Sequence, residues 1–179
     1  VNLFDNMVNK INNNTISGSA SVGESLIALK IQECEEKGYS FEEVIEHVEA
    51  YIEEQHTYFV LENLDTLRKN GRLTGIKSLM ASALNIKPVM GSTEEGTICQ
   101  LGQARGVKKA IAKMAEHIVA DGKNTENKVL AIAHCNCPER AREIERMILD
   151  KIKVKDSFIV ETGGISTMYA NDGGIIVVL

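Results

Sequence analysis

Two arginines are the residues of this sequence best suited to bind an anion. Arg72 follows an Asn-Gly pair, and Arg105 stands immediately before a glycine at the predicted start of a helix. A guanidinium presents a planar fork of N–H donors that matches the oxygens of a carboxylate or a phosphate. The residues alone leave a second interpretation open, in which each arginine forms a surface ion pair with one of the many glutamates.

A glycine-rich segment near the C-terminus offers another anion-binding feature. Two pairs, Gly163-Gly164 and Gly173-Gly174, enclose residues 165–172 between two predicted strands. A loop built this way can turn several backbone N–H groups toward one anion. Equally, it can be a tight connection in which glycine supplies positive φ angles. Together with the arginines, the loop would suit a small enzyme that acts on a phosphorylated substrate.

The motifs of the common enzyme and metal sites are missing from the sequence. There is no Gly-x-Ser-x-Gly, no His-Glu-x-x-His, no phosphate loop ending in Gly-Lys-Ser/Thr, and no Gly-x-Gly-x-x-Gly after a predicted strand. Cys135-x-Cys137 follows His134, but a zinc site usually needs Cys-x2-4-Cys and a second ligand pair elsewhere. We therefore expect neither a metal nor a cofactor.

The composition is that of an ordinary globular chain, and it argues against several classes of partner. The chain has 179 residues, of which 44% are hydrophobic and 25% are charged, and its net charge is -5. An acidic chain is a poor match for nucleic acid. No apolar run approaches the roughly 20 residues of a membrane-spanning helix, and the first residues do not resemble a signal peptide. We expect a cytoplasmic protein without stable membrane anchoring.

The chain divides into a short N-terminal helix, a join and one domain. Residues 1–16 carry apolar side chains at helical spacing, which predicts an amphipathic helix that belongs to the same domain. Ser17-Gly18-Ser19 has the composition of a linker or join. Residues 20–179 then form the domain itself.

Two capping boxes open the first helices of this domain. Ser21 is followed three residues later by Glu24, and Ser40 by Glu43. The first helix ends before Gly38, which supplies a left-handed cap. The second has its apolar residues on one stripe and its glutamates on the opposite face.

Apolar runs bounded by turn residues predict an α/β domain with a mixed sheet of about five or six strands flanked by helices. A strand, a helix and a second strand between 129 and 160 predict a parallel pair with a right-handed crossover. Pro88 predicts a sheet edge or a bulge, because proline cannot donate a ladder hydrogen bond. The predicted strands are Tyr58–Leu61, Ile86–Met90, Thr97–Leu101, Val129–Ala133, Ser157–Val160 and Gly174–Leu179.

An apolar helix is predicted between the first two strands. Leu79, Met80 and Ala83 belong to its apolar stripe, and small residues stand beside them. Small side chains let either another backbone or a ligand tail come close. Ordinary helix packing explains the same pattern, so both interpretations stay open.

The order of features from Thr57 to Arg105 resembles the DegV family of bacterial lipid-binding proteins. It runs through a buried strand, a leucine-bearing helix that ends in Asn-Gly, Arg72, the apolar helix, an Ile-Lys-Pro strand and an Arg-Gly pair. The resemblance covers most of the chain from Ala20 onward. It implies the fold of a DegV-like C-terminal domain, with most of the N-terminal domain absent.

The resemblance implies a carrier rather than an enzyme. DegV-like proteins hold a long-chain fatty acid in a tunnel and present its carboxylate to a fatty acid kinase. The family's arginines near positions 72 and 105 line the mouth of the site or face the kinase, and the apolar helix supplies wall residues. The family's serine and threonine carboxylate ligands belong largely to the absent domain.

One position departs from the family pattern. Met168 stands where the family has a histidine that helps to hold the carboxylate, and a thioether cannot donate a hydrogen bond as imidazole does. The hydroxyls of Thr167 and Tyr169 are the candidate replacements. The alternatives to a carrier are the phosphate-ester enzyme described above, using residues 163–174, and a non-catalytic domain that forms a homodimer through exposed apolar surface.

Overall fold

A computed structural model of the chain describes residues 19–73, 85–93 and 96–179. These residues form six helices, six strands and one short 3-10 turn. The helices are α1 (Val22–Glu36), α2 (Phe41–Glu53), α3 (Asp65–Lys69), α4 (Val107–Asp121), α5 (Pro138–Leu149) and α6 (Gly164–Ala170). The strands are β1 (Thr57–Val60), β2 (Ile86–Ser92), β3 (Ile98–Arg105), β4 (Val129–His134), β5 (Asp156–Glu161) and β6 (Ile175–Val178).

The six strands form one mixed sheet in the order β3-β2-β1-β6-β4-β5. Strands β4 and β5 are parallel and are joined through α5, whereas the other neighbouring pairs are antiparallel. This arrangement confirms the predicted α/β class, the strand number and the parallel pair. The last strand in the chain, β6, is inserted between β1 and β4 in the middle of the sheet.

One face of the sheet is closed by α4 and α5. Tyr58 and Val60 point to this face from β1 and pack against buried residues of both helices, such as Met114 and Ile144. The Tyr58 hydroxyl donates to Asp121 Oδ2 at 3.0 Å. This layer is the largest part of the core.

On the opposite face, the described residues form two separate coverings. Over β4 and β6, Val22 and Leu26 of α1 pack on Ala131 and Val178, and α2 packs on the outside of α1. Over β1 and β2, the smaller helices α3 and α6 cover Phe59 and neighbouring residues. Between these two coverings, the described residues leave an apolar cleft on the sheet face.

Only one of the two predicted capping boxes forms. At Ser40, the side chain accepts from the Glu43 N–H, and Glu43 Oε2 accepts from the Ser40 N–H at 2.7 Å. At Ser21, the backbone lies at φ 58° and ψ -121°, and the side chain makes no capping hydrogen bond. The prediction at Ser21 was therefore wrong, because that backbone conformation turns the hydroxyl away from the first turn of α1.

The proline in β2 lies beside an irregularity, as predicted. The register between β2 and β3 shifts between Val89 and Met90. On its other side, β2 pairs with β1 only at Met90 and Gly91. Pro88 therefore lies beyond the residues of β2 that pair with β1. Its missing N–H removes no hydrogen bond to β1.

Two further local predictions need correction. Residues 163–174 do not form an open loop, because Gly164–Ala170 is the short helix α6. Arg105 does not begin a helix but is the last residue of β3; Gly106 is the cap, and α4 starts at Val107. In both places the helix begins at or just after a glycine: α6 begins at Gly164, and α4 begins directly after Gly106.

Candidate functional site

An apolar cleft of about 340 Å³ lies on the face of the sheet opposite α4 and α5. Its floor is made by side chains of neighbouring strands, and α3 and α6 provide part of its wall. This volume falls within the usual range of about 300–1,000 Å³ for small-molecule sites. The lining residues are Ser19, Ala20, Ser21, Thr57, Phe59, Leu61, Leu67, Arg72, Gly91, Ser92, Gly96, Ile98, Ile165, Ser166, Tyr169, Ala170 and Ile176.

The alternation of β-strand side chains makes the floor apolar. Phe59 and Leu61 point to the cleft because they alternate with Tyr58 and Val60, which point to α4 and α5. Ile176 lies opposite Phe59 across the β1–β6 ladder, and so on the same face. The result is a continuous aliphatic and aromatic surface on which an apolar ligand can lie.

Hydroxyl groups gather where β1 begins. The hydroxyls of Ser19 and Thr57 lie 2.9 Å apart, within hydrogen-bond distance. The backbone N–H of Thr57 donates to the Ser92 hydroxyl at 3.3 Å. Because these groups bind one another and the backbone, this polar rim is already satisfied without a ligand.

Arg72 is the one charged side chain among the cleft-lining residues that the structure describes. It follows Gly71, whose φ of +68° lets the chain turn back after α3. Tyr169 joins it in the lining and packs against the apolar cluster under α6. An anionic head group bound at this cleft would find its positive charge at Arg72.

The structure separates the remaining predicted site residues from the cleft. Arg105 is exposed at the end of β3 and does not line it. Thr167 is exposed and donates its hydroxyl to Thr162 Oγ1 at 2.9 Å. Met168 is 49% exposed on α6 and also lies outside the lining. The predicted wall residues Leu79, Met80 and Ala83 lie outside the described residues.

Several lining residues were not singled out from the sequence. Phe59 and Ile98 could have been found from the sequence, because side chains alternate between the two faces along each strand. Ile165 and Ser166 carried no such signal, because the 163–174 segment was expected to be a loop and α6 is too short to show a periodicity.

An ion-pair network lies at the end of the sheet where β1 ends. The Glu62 carboxylate binds Lys87 Nζ at 2.7 Å and Arg140 Nη2 at 3.0 Å. Burial alone would raise the pKa of Glu62, but hydrogen bonds and charge from Lys87 and Arg140 outweigh it and lower that pKa. Arg140 also donates to the Gly173 carbonyl through its other terminal nitrogen.

The cysteine and histidine group lies at the end of β4 and the start of α5. The His134 Nδ1 atom accepts from the backbone N–H of Cys137 at 3.3 Å. Burial raises the pKa of the Cys137 thiol, which keeps it protonated. In the part of the chain that the structure describes, no three His, Cys, Asp or Glu side chains come close enough to hold a metal.

The family model for "Uncharacterised protein, DegV family" matches residues 4–179. This chain belongs to the DegV family. A DegV domain-containing protein of Streptococcus pyogenes serotype M1 is 34% identical over 171 residues, which are 93% of this chain and 59% of that protein. The predicted family is therefore confirmed.

Two solved DegV structures show the same fold. A DegV family protein from Ruminococcus gnavus, with vaccenic acid, is 63% identical at a TM-score of 0.89; the match covers 97% of this chain and 64% of that one. The Fatty Acid Kinase (Fak) B3 protein of Streptococcus pneumoniae, loaded with linoleic acid, is 30% identical at a TM-score of 0.78, with 97% and 63% covered. Both of these proteins hold a fatty acid.

The chain spans only about three fifths of the relatives it matches, 59% of the Streptococcus pyogenes protein and 64% of the Ruminococcus gnavus chain. Within the described residues, none of the helices has the length and apolar character needed to cross a membrane.

Proposed function

We propose that this chain supplies one wall of a fatty-acid-binding site. The tail of a long-chain fatty acid lies on the cleft floor formed by Phe59, Leu61 and Ile176. With the remaining length found in the relatives, the protein holds the fatty acid and presents its carboxylate to a fatty acid kinase. The apolar cleft on the sheet face opposite α4 and α5 is the observation that carries this proposal.

The energetics favour a shared site. Each CH₂ group that a tail buries contributes about 0.8 kcal/mol, so the affinity of a long chain depends on how completely it is covered. The described residues line the cleft from the sheet, α3 and α6, and a tail that only these residues cover stays partly in water. A second wall from the part of the family's length that this chain does not span would complete the burial.

The carboxylate also depends on more than this chain. Arg72 offers charge, and Tyr169 offers a hydroxyl beside it, while Met168 cannot replace the donor that the family histidine provides. A carboxylate taken out of water without enough donors is costly. Further donors are therefore expected from outside residues 1–179.

The enzyme alternative loses the site on which it depended. The 163–174 segment folds as α6 rather than as an open anion-binding loop. Arg72 lines the cleft and Arg105 does not, so the two guanidinium groups do not meet in it. Formation of a homodimer through apolar surface remains a prediction, and the exposed Ile165 and Met168 on α6 are the residues it would cover.

The proposal is tested by titrating palmitate into this chain and into the Ruminococcus gnavus relative by isothermal calorimetry. We expect the relative to bind tightly and this chain to bind weakly or without measurable heat. Sub-micromolar binding by this chain alone would contradict the shared-site proposal. A screen of phosphate esters by thermal shift tests the enzyme alternative, which predicts stabilisation by at least one ester.

A further inference from the structure

The network around Glu62 joins four separate parts of the fold. Glu62 follows β1, Lys87 belongs to β2, Arg140 to α5, and Gly173 to the turn between α6 and β6. Lys87 Nζ also donates to the backbone carbonyl of Glu62 at 2.8 Å. The three charged side chains are only partly accessible, at 33% for Glu62, 19% for Lys87 and 22% for Arg140.

The guanidinium of Arg140 makes two different hydrogen bonds, one through each of its terminal nitrogen atoms. One nitrogen binds the Glu62 carboxylate, and the other donates to the Gly173 carbonyl. The turn passes directly beneath this pair, since a Cβ added at Gly173 would lie 2.8 Å from Arg140 Nη1 and 3.0 Å from Glu62 Cγ. The pair therefore contacts and hydrogen-bonds the backbone of the turn that follows α6.

The helix that precedes this turn carries cleft-lining residues. Ile165, Ser166 and Tyr169 belong to α6 and line the cleft. At its C-terminal end, the helix is followed within three residues by Gly173. A shift of that turn would disturb α6, because a helix of only seven residues is marginal by itself and depends on its tertiary contacts.

We propose that Glu62 and Arg140 are positioning residues that set the place of α6 and hence the shape of the cleft. The ligand touches neither of them; Arg140 acts through Gly173, and Glu62 acts by orienting Arg140. Lys87 holds Glu62 in place from the β2 side. The importance of this network for fatty-acid binding rests on the proposed function, whereas its hold on α6 does not.

The chain permits a clean optical test, because it contains no tryptophan. Tyr169→Trp places a single tryptophan on α6 at a half-buried position, and its quenching by acrylamide reports how firmly α6 is held. In this background we would introduce Glu62→Gln and Arg140→Gln. Arg142→Gln is the matched control, since Arg142 lies on the same helix and binds Glu139 at the same distance of 3.0 Å, but in an exposed pair.

We expect Glu62→Gln and Arg140→Gln to raise the quenching constant and Arg142→Gln to leave it unchanged. Circular dichroism verifies that each variant is folded. If Arg140→Gln does not fold, Arg140→Lys decides, because lysine keeps the charge but has no fork and should also raise quenching. The proposal would be overturned if the quenching constant of Glu62→Gln and Arg140→Gln equalled that of Arg142→Gln, whether all three constants stay unchanged or all three rise.

The pH profile gives a second readout that a purely structural role would not show. Lowering the pKa of Glu62 in the folded protein means that its hold on Arg140 is complete above the ordinary glutamate value of about 4.3 and is lost as the pH falls below it. The charged and titratable groups around the pair are Lys87 from β2, Cys137 at the start of α5, and Asp172 from the turn.

We therefore expect quenching to rise as the pH falls through the lowered pKa of Glu62 in the Tyr169→Trp protein. In the Glu62→Gln variant this step should be missing, with quenching already high at neutral pH. The same step in both proteins would assign it to another group and overturn the role of Glu62. The two proposals fail separately, because the quenching measurements contain no fatty acid. If the palmitate titrations or the crosslinking of the chain with Tyr169 intact contradict the fatty-acid site, the quenching result for the network still stands.

Discussion

Single residues in this protein act mainly by setting where the backbone can go. Gly174 is the clearest case. A Cβ built on it would lie 2.4 Å from the Ala170 carbonyl oxygen, which is backbone and cannot move aside. The end of α6 can approach the start of β6 only because no side chain stands between them.

We predict that Gly174→Ala destabilises the protein by about 1–3 kcal/mol, the usual range for overpacking in a filled core. Urea unfolding with an unchanged m-value is the appropriate measurement. The matched control is Gly163→Ala, where φ is -124° and nothing lies within 4 Å of the added Cβ. The control should change stability by no more than about 0.5 kcal/mol. Equal effects at the two glycines would contradict the close-approach explanation.

The predicted site residues fall on different parts of the structure. Arg72 and Tyr169 line the cleft, whereas Arg105, which was grouped with Arg72, lies outside the cleft lining. The reason is topological. Which residues share a cavity depends on the order of strands in the sheet, and the insertion of β6 between β1 and β4 cannot be read from local spacing.

At the scale of secondary structure, patterns that are identical in sequence behaved differently. Ser21 and Ser40 each stand three residues before a glutamate, and only Ser40 forms the reciprocal box. A local motif fixes which hydrogen bonds are available, and the path of the preceding chain decides whether they form. The helices α2, α4 and α5 were predicted because their apolar residues recur over three or four turns, whereas the short helix α6 was missed.

The difference between the two serines yields a paired prediction. Ser40→Ala should lower the free energy of unfolding by about 1 kcal/mol, because the first turn of α2 loses an acceptor. Ser21→Ala should lower it by less than about 0.5 kcal/mol, since Ser21 makes no capping hydrogen bond. Thermal and urea denaturation of both variants provide the measurement. A larger loss at Ser21 than at Ser40 would show that the hydroxyl at Ser21 has a role that its capping geometry does not explain.

Across the whole molecule, the two faces of the sheet differ in what packs on them. The face under α4 and α5 is filled by the main core, while on the opposite face the described residues enclose an apolar cleft. The sequence predicted the α/β class, the strand number and the parallel pair, because each depends on patterns within a segment. It could not locate the cleft, because the described lining residues come from strands and helices that are far apart in the sequence.

The difference between the two faces bears on how this chain compares with its relatives in length. A chain that spans about three fifths of the Ruminococcus gnavus structure leaves a large part of that protein without a counterpart. The apolar cleft fits the proposal that the remaining length of the relatives supplies a second wall of a shared lipid site. The central claim of that proposal is that the tail lies on the floor formed by β1 and β6.

Photo-crosslinking with a fatty acid that carries a diazirine near the end of its tail tests this claim most directly, because it detects even weak binding. The account predicts label on peptides that contain Phe59, Ile98 or α6. Ile165→Glu should remove this label, because Ile165 lines the cleft and is 69% exposed, so a charge there is tolerated by the fold. Leu149→Glu, an exposed apolar position on the opposite face, should leave the labelling unchanged. Label concentrated on α4 and α5, or labelling that survives Ile165→Glu, would contradict the account.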